Sequence, residues 1–420
     1  MSLSKPVYID LFAGCGGLSL GLKKAGWKGL FAIEKSPDAF ETLKHNLING
    51  PDSHFEWPNW LKKEAQTLEK VLKNHSEQIK KEFRNRVDLI AGGPPCQGFS
   101  TVGKRKSDDP RNKLYKSYLK FVELVNPKLV LLENVRGIQY NFLNNKSSKS
   151  KKVPHSEIIR KELAKKYNVS SGIVYAKDFG VPQTRPRYIL IGIRKDIPKK
   201  ENDSDPIELL KNLREDFLLK KGLGLDEITV WDAISDLHRS PSSEVECSES
   251  PRFKMGFYGP SLSVYQKYMH GSMNGALADS HRFARHNPST VEKFSWFLKN
   301  CEKGKKIPPE DRGEYGNKKH TIHILHPDEC APTVTTLPDD MLHYYEPRIL
   351  TVRETARLQS FPDWFEFKGK YTTGGNLRKK ECPRYTQVGN AVPPLLAESI
   401  GETLKELLTE NDASFCNSQS

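Results

Sequence analysis

An α/β fold on a mixed, mostly parallel sheet, joined to a second, smaller and irregular domain, is what this sequence predicts, and three observations predict it. Short apolar runs alternate with helical patterns from residue 7 to about 194, the signature of strand-helix-strand units. The alternation stops after Arg194, and residues 195–345 become irregular, with Pro and Ser over 239–251 and Gly with aromatics over 253–275. Helical signals resume at Thr351, where a capping box with Glu354 opens a new ordered stretch.

The runs at 7–12, 30–34, 87–91, 129–133 and 188–193 read as buried strands, each short and most of them rich in branched residues. Between them, 18–25 patterns as a helix stopped by Gly26. The helix over 37–46 has Ser36 as cap and Pro37 at its first position. Residues 62–86 read as a charged helical insert. The lysine-rich stretch 146–166 reads as a basic loop running into a solvated helix, equally a plain surface face or a DNA contact. In the last helix, 395–408, Leu396, Ile400, Leu404 and Leu407 share one stripe suited to packing back on the first domain, and the tail from Thr409 is polar. The expected organisation is therefore 1–195, 196–345, a return over 346–408, and a tail over 409–420.

Composition narrows the function classes. A chain of 420 residues with 36% hydrophobic and 28% charged content can bury a core unaided, which excludes a membrane bundle and a wholly disordered chain. No stretch approaches a membrane span and the first eleven residues lack the features of a signal peptide, so a soluble cytoplasmic protein is expected. Seven scattered cysteines without a Cys-x-x-Cys pair argue against a disulfide scaffold and a structural zinc site. His320, His323 and His326 look like a metal set, but on an extended chain His323 points away from the other two, so no metal is expected. The net charge of +14 suits a polyanionic partner or serves solubility.

Four strand ends carry candidate chemistry. The first runs into Asp10-Leu11-Phe12-Ala13-Gly14-Cys15-Gly16-Gly17, a glycine turn where a ligand can approach the backbone. Ser19 stands where a dinucleotide fingerprint wants glycine, and no lysine follows as in a phosphate-binding loop, so neither usual phosphate motif fits. Glu34, closing the second strand, can accept both hydroxyls of a ribose, or it is a strand-end acid beside a structural turn. Cys96, in Gly92-Gly93-Pro94-Pro95-Cys96-Gln97, lies on a stiffened loop at the edge where parallel sheets bind ligands, and is a candidate nucleophile. Glu133, after an apolar run, is a candidate proton donor with a raised carboxyl pKa, or a helix-capping acid. Arg185 and Arg187, alternate residues of an extended segment, share a face and could hold an anion or a pyrimidine carbonyl.

Taken together, DLFAGCGG at Asp10, GGPPCQGFS at Gly92, ENV at Glu133, QTRPR at Gln183, RETARLQ at Arg353 and QVGNAVPP at Gln387 resemble the DNA (cytosine-5)-methyltransferase family in order and spacing. The resemblance covers residues 7–194 and about 330–408. It implies a Rossmann-like S-adenosylmethionine-dependent methyltransferase fold, with a catalytic and cofactor-binding domain over 1–195 and a target-recognition domain over 196–345. The return segment 346–408 would complete the cofactor pocket.

Carried onto this chain, the resemblance implies that Cys96 adds to carbon 6 of a cytosine while Glu133 protonates or hydrogen-bonds ring nitrogen 3. Arg187 would contact oxygen 2 and Arg185 would support the loop or backbone, both being counted with the catalytic set. S-adenosylmethionine, the implied methyl donor, would lie among Asp10, Phe12, Gly14, Gly16, Gly17, Glu34, Pro94, Leu114, Asn390 and Val392. The family's acid for the adenine amino group has no clear counterpart, Glu56 or Trp57 being the nearest choice. Double-stranded DNA is the implied partner, with the target base flipped out and Gln97, Ser100, Gln183, Arg282 and Arg285 as candidate DNA contacts. The lean chain fits the protective half of a bacterial restriction-modification pair, acting as a nucleoid-associated monomer beside an endonuclease of the same specificity. Methylation of transfer RNA cytosine by the same fold, and a silent nucleotide-sensing DNA-binding module, are the competing readings.

Overall fold

The computed structural model describes residues 5–49, 53–95, 114–140, 153–198, 204–271, 276–313, 322–373, 377 and 380–416. Contacts divide the chain into two compact units. The first comprises Met1–Tyr175, Pro186–Arg214 and Leu396–Ser420, and the second Ala176–Arg185 with Glu215–Leu395.

The first unit is built on a six-stranded sheet of β1 (Val7–Leu11), β2 (Lys28–Ile33), β3 (Leu89–Gly92), β4 (Leu129–Val135), β5 (Tyr167–Tyr175) and β6 (Pro186–Arg194), in the order β2-β1-β3-β4-β6-β5. The first four strands are parallel, as the five apolar runs led us to expect. At β6 the direction reverses: β6 is antiparallel to both β4 and β5. Helices α1 (Gly17–Lys24), α2 (Pro37–Leu43), α3 (Leu68–Phe83), α4 (Leu114–Val125), α5 (His155–Leu163) and α6 (Pro206–Asn212) complete the unit with the last helix, Pro394–Cys416.

Strand alternation explains the core. Ile9, Leu11, Phe31, Ile90, Val130 and Leu132 turn to one face, where they meet Val71, Ile79 and Phe83 of α3 and Tyr118, Phe121 and Val125 of α4. The alternate residues Tyr8, Leu89, Ala91, Leu131, Ile189 and Ile191 are buried as well, so both faces of the sheet are covered. Each fully buried aliphatic side chain contributes about 1.5–3 kcal/mol of transfer free energy. Gly26, at φ 87°, ends α1 in the left-handed region as its position after the helix requires. Ser36 occupies the cap position of α2 with Pro37 next, although its hydroxyl makes no capping hydrogen bond.

The last helix buries Leu396, Ile400, Leu404 and Leu407, the stripe read from the sequence. The Trp27 indole donates to the Gly401 carbonyl at 2.8 Å, and a side chain at Gly401 would meet the Ala25 methyl at 2.8 Å. This return therefore docks in the first unit.

The second unit holds a small antiparallel sheet (Val245–Glu246, Lys254–Phe257, Leu277–Arg282) and a two-residue parallel pair, His323–Ile324 with Met341–Leu342. Its centre is unusual in charge. Helix Val352–Leu358 is buried at all seven positions, with the expected Thr351–Glu354 capping box formed. Arg357 bridges Asp236 (3.0 Å) and Asp363 (2.5 Å), and Arg353 reaches Asp279 (3.0 Å). Burial alone would raise the Glu354 carboxyl, yet the bidentate Arg348 holds it well below the usual carboxylate range. These bonds are why 346–395 clusters with the second unit and the chain rejoins the first only at Leu396, later than the residue 346 read from the sequence. The other boundary also moves, from 195 to 214, because Asp205, the cap of α6, accepts from Ser170 of β5 at 2.7 Å. Among the described residues no helix is long and apolar enough to cross a membrane.

Candidate active site

The carboxyl edge of the parallel strands gathers most of the residues singled out in the first unit. After β1 the chain turns sharply. Phe12 takes a left-handed φ of 63°, a strained conformation for a bulky residue that costs on the order of 1–3 kcal/mol, and Gly14 and Gly16 follow at 57° and 99°. The Ala13 amide bonds to the Ile33 carbonyl (3.0 Å), which fixes the turn over the end of β2. Glu34 then accepts from the Gly14 amide at 3.0 Å through one oxygen and from the Ser36 amide at 2.7 Å through the other. Its carboxylate is held in a set orientation, and burial raises its pKa against those two hydrogen bonds. A side chain at Gly14 would touch nothing within 4 Å, so the turn has an open side, whereas one at Gly16 would strike Leu43 at 2.8 Å. Gly17 begins α1.

Asp10 differs from the expectation that it contacts a cofactor. It is fully buried beneath the turn, where Ser19 donates to one carboxylate oxygen at 2.6 Å and the other has no hydrogen-bond partner among the described residues. Burial pushes its carboxyl up to about 7. With no exposed atom, Asp10 supports the turn from below.

β3 ends in Gly92, which must be glycine: a side chain there would lie 2.5 Å from the Leu11 carbonyl of the neighbouring strand. At Gly93 the added carbon would be 3.1 Å from a Glu133 carboxylate oxygen, so the loop passes directly over Glu133. Asn134 ties the two together, its side-chain amide donating to the Pro94 carbonyl at 3.0 Å while its oxygen accepts from the Val135 amide. Asn134 is buried, and the sequence reading quoted it without giving it a task. The available signal was its place between Glu133 and Val135 at a strand end, where a short amide can bond to a crossing loop. Cys96, Gln97 and Ser100 lie outside the described residues. Leu114 is the first residue of α4 and half-buried.

Glu133 itself meets a cation. The Arg187 Nε lies 2.8 Å from a Glu133 oxygen, with the two side chains only 8% and 12% exposed, so solvent screens the pair weakly. The antiparallel register pairs Val135 with Arg187, which sets Arg187 diagonally across from Glu133 on one face. The apolar surroundings expected around Glu133 are thus broken by a guanidinium. Arg187 is anchored again by donating to the Pro186 carbonyl at 2.8 Å, and burial lowers its pKa against the attraction of Glu133.

Within the second unit, Arg185 donates to the carbonyls of Val334 (3.0 Å), Gly389 (2.8 Å) and Ala391 (2.8 Å), and it is 1% exposed. It braces backbone in the second unit. Gln183, expected among the DNA contacts, is fully buried. It donates to Leu358 and Gln359 and accepts from the Val334 amide, leaving nothing for DNA. Arg282 is likewise committed, its guanidinium 4.0 Å from the Phe253 ring centre and 3.8 Å from that of Tyr371. Arg285 is exposed. Asn390 ends helix Arg384–Asn390 and is exposed, while Val392 is buried two residues later. Glu56 pairs loosely with Lys28 at 3.9 Å, and the Trp57 indole donates to the Leu61 carbonyl, so neither points to an adenine contact.

A metal-like cluster occurs away from the expected histidines, at His238, His343 and Glu346. Most of its ligand atoms are engaged, His238 Nε2 lying 2.7 Å from the Tyr344 hydroxyl, while among the described residues the buried His343 Nε2 has no hydrogen-bond partner. The His343 Nδ1 accepts from the amides of Tyr345 and Glu346 at 3.1 Å, which puts the ring proton on Nε2. Glu346 accepts from the Arg239 amide and from Arg348. The cluster is therefore a hydrogen-bonded support for the 343–348 turn.

Comparison with known proteins bears on this edge directly. The family described as C-5 cytosine-specific DNA methylase matches residues 7–406. The chain belongs to this family. It is a DNA (cytosine-5) methyltransferase. Similar proteins include the type II methyltransferase M.DdeI of Desulfomicrobium norvegicum, 32% identical over 94% of this chain and 88% of that one. The type II methyltransferase M1.HphI of Haemophilus parahaemolyticus is also 32% identical, over 96% of this chain and 87% of its own. Among solved structures, a chain from an E. coli prophage described as a DNA modification methyltransferase superposes with a TM-score of 0.66 at 26% identity, covering 96% of this chain and 100% of that one. The S. pombe Dnmt2 methyltransferase shares the fold, with a TM-score of 0.52 at 16% identity over 97% of this chain and 99% of its own.

Proposed function

We propose that this methyltransferase modifies carbon 5 of one cytosine within a specific sequence of double-stranded DNA, through a transient bond to Cys96 and a base flipped from the duplex. The observation that carries the reading is the Glu133–Arg187 pair, held at the sheet edge directly beneath the loop that leads to Cys96. Duplex stacking hides carbons 5 and 6, so the base must leave the helix to meet these groups. The Cys96 thiolate adds to carbon 6. Glu133, oriented through one oxygen by Arg187, donates a proton from its other carboxyl oxygen to ring nitrogen 3, and Arg187 has donors for oxygen 2. Addition makes carbon 5 electron-rich enough to take an alkyl group, after which carbon 5 loses its proton, ring nitrogen 3 returns its own to Glu133, and the Cys96 sulfur leaves as thiolate.

The β1–α1 turn suits an adenosyl group without pyrophosphate. Glu34 is pre-oriented by two amides for a ribose diol, Gly14 leaves an open side, and the half-buried Phe12 lies two residues before Gly14. S-adenosylmethionine, held there, supplies an electrophilic methyl group. The type II relatives support a place in restriction-modification, with an endonuclease of matching specificity as functional partner.

The test is incubation with duplex DNA carrying 5-fluorocytosine. We expect a denaturant-resistant protein–DNA adduct that needs S-adenosylmethionine and is lost in Cys96→Ser. Methylation by Cys96→Ser at the wild-type rate would overturn the reading. Bisulfite sequencing of DNA from an expressing host identifies the site.

A further inference from the structure

The second unit contains a cleft of about 550 Å³ that none of the chemistry above uses. Its size falls in the roughly 300–1,000 Å³ range of ligand sites. Phe253, Phe283, Val291 and Pro347 form apolar walls, and five basic side chains line it against one carboxylate, Glu346. Those five are not equivalent. Arg239 is paired with Glu244, and Arg348 with Glu346 and Glu354, the two guanidiniums lying 5.3 and 5.2 Å from the Phe283 ring centre. Lys254 stands 3.7 Å from Glu246. Arg252 and Arg285 are exposed and make no ion pair or hydrogen bond among the described residues. The paired arginines stiffen the floor, and two guanidiniums remain uncompensated at the rim.

We propose that this cleft is a phosphate seat for the backbone of the DNA substrate, with Arg252 and Arg285 taking a phosphodiester. Guanidinium forks match the paired oxygens of a phosphate. The apolar walls suit a deoxyribose. The inference rests on duplex DNA being the substrate and adds where that duplex is gripped apart from the flipped cytosine. Such a contact sets position and carries no sequence information, so its signature is electrostatic.

The experiment measures the dissociation constant of the full chain for a duplex it methylates and for an unrelated duplex, between 50 and 200 mM salt. Wild type is compared with Arg252→Ala, Arg285→Ala and Arg285→Lys. Each alanine variant should lower the slope of log affinity against log salt by about 0.9, equivalent to roughly a threefold smaller affinity loss across that range. The weakening should be equal on both duplexes, and Arg285→Lys should keep the slope. An unchanged slope overturns the proposal. Weakening confined to the methylated duplex also overturns it and makes these arginines base readers. Tight binding of a free nucleoside monophosphate, lost in the double alanine variant, overturns it in favour of a small-ligand site. Adduct formation by wild type on 5-fluorocytosine DNA separates these failures from a failure of the methylation reading itself.

Discussion

Removing both members of the Glu133–Arg187 pair should do less damage than the two single losses added together. The side chains are 8% and 12% exposed and meet at 2.8 Å, so each neutralises a charge that water reaches poorly. Breaking such a pair by deleting one partner costs about 3–5 kcal/mol, mainly for the stranded charge. Arg187→Met strands the carboxylate and should lower unfolding stability by about 3 kcal/mol. Glu133→Gln keeps an oxygen for the guanidinium and loses only the charge assistance, so about 1.5 kcal/mol is expected. In the double variant neither charge is left behind, and its loss should fall short of the sum of the singles by at least about 1 kcal/mol. The measurement is urea unfolding of the four proteins followed by tryptophan fluorescence, with adduct formation on 5-fluorocytosine DNA as a parallel readout. Additivity within about 0.5 kcal/mol would refute the coupling, and with it the claim that Arg187 orients Glu133.

Three further outcomes are expected. Asn134→Ala removes the bond from its side-chain amide to the Pro94 carbonyl, which should cost about 1 kcal/mol and slow adduct formation more than DNA binding, as separate rate and affinity measurements would show. Asp10, protonated up to about 7 when folded and ionised above 3.8 when unfolded, binds a proton in the native state that the unfolded state releases. Its contribution to stability is therefore full below pH 4 and declines by about 4 kcal/mol as pH rises to 7; unfolding of Asp10→Asn between pH 4 and 8 should lack that decline. Gln183→Ala should lower unfolding stability by about 2 kcal/mol through its lost bonds to Leu358, Gln359 and Val334, yet leave the salt dependence of DNA binding unaltered.

Some of this was legible from residue order alone. The apolar runs before Glu34, Gly92 and Glu133 are parallel strands with both faces covered, and that need for double burial is what erases polar alternation and makes them conspicuous. β5 escaped notice because its middle, Ser170-Ser171-Gly172, is polar and it lies at the sheet edge beside β6. The antiparallel turn of β6 was equally hidden, since strand direction depends on how a connection crosses and not on the strand's own residues; yet that direction brings Arg187 to Glu133. The candidate DNA contacts Gln183 and Arg282 were chosen by residue type, and type alone cannot say whether a donor faces solvent or is already satisfied by carbonyls and rings. The 346–395 segment was attached to the wrong unit for a similar reason: the acids that hold Arg353 and Arg357 include Asp236 and Asp279, far away along the chain.

The docking of Gly401 against Trp27, 374 positions earlier, imposes an order on synthesis. At about 5–20 residues per second, a ribosome needs roughly 20–75 s to make the partner that Trp27 awaits. During that interval the groove formed by Leu22, Ala25 and Trp27 stays open on the nascent chain while the sequences for the rest of the molecule are still being added. Chaperone occupancy of early intermediates should therefore concentrate at the amino-terminal helix, and release should coincide with the emergence of the final one.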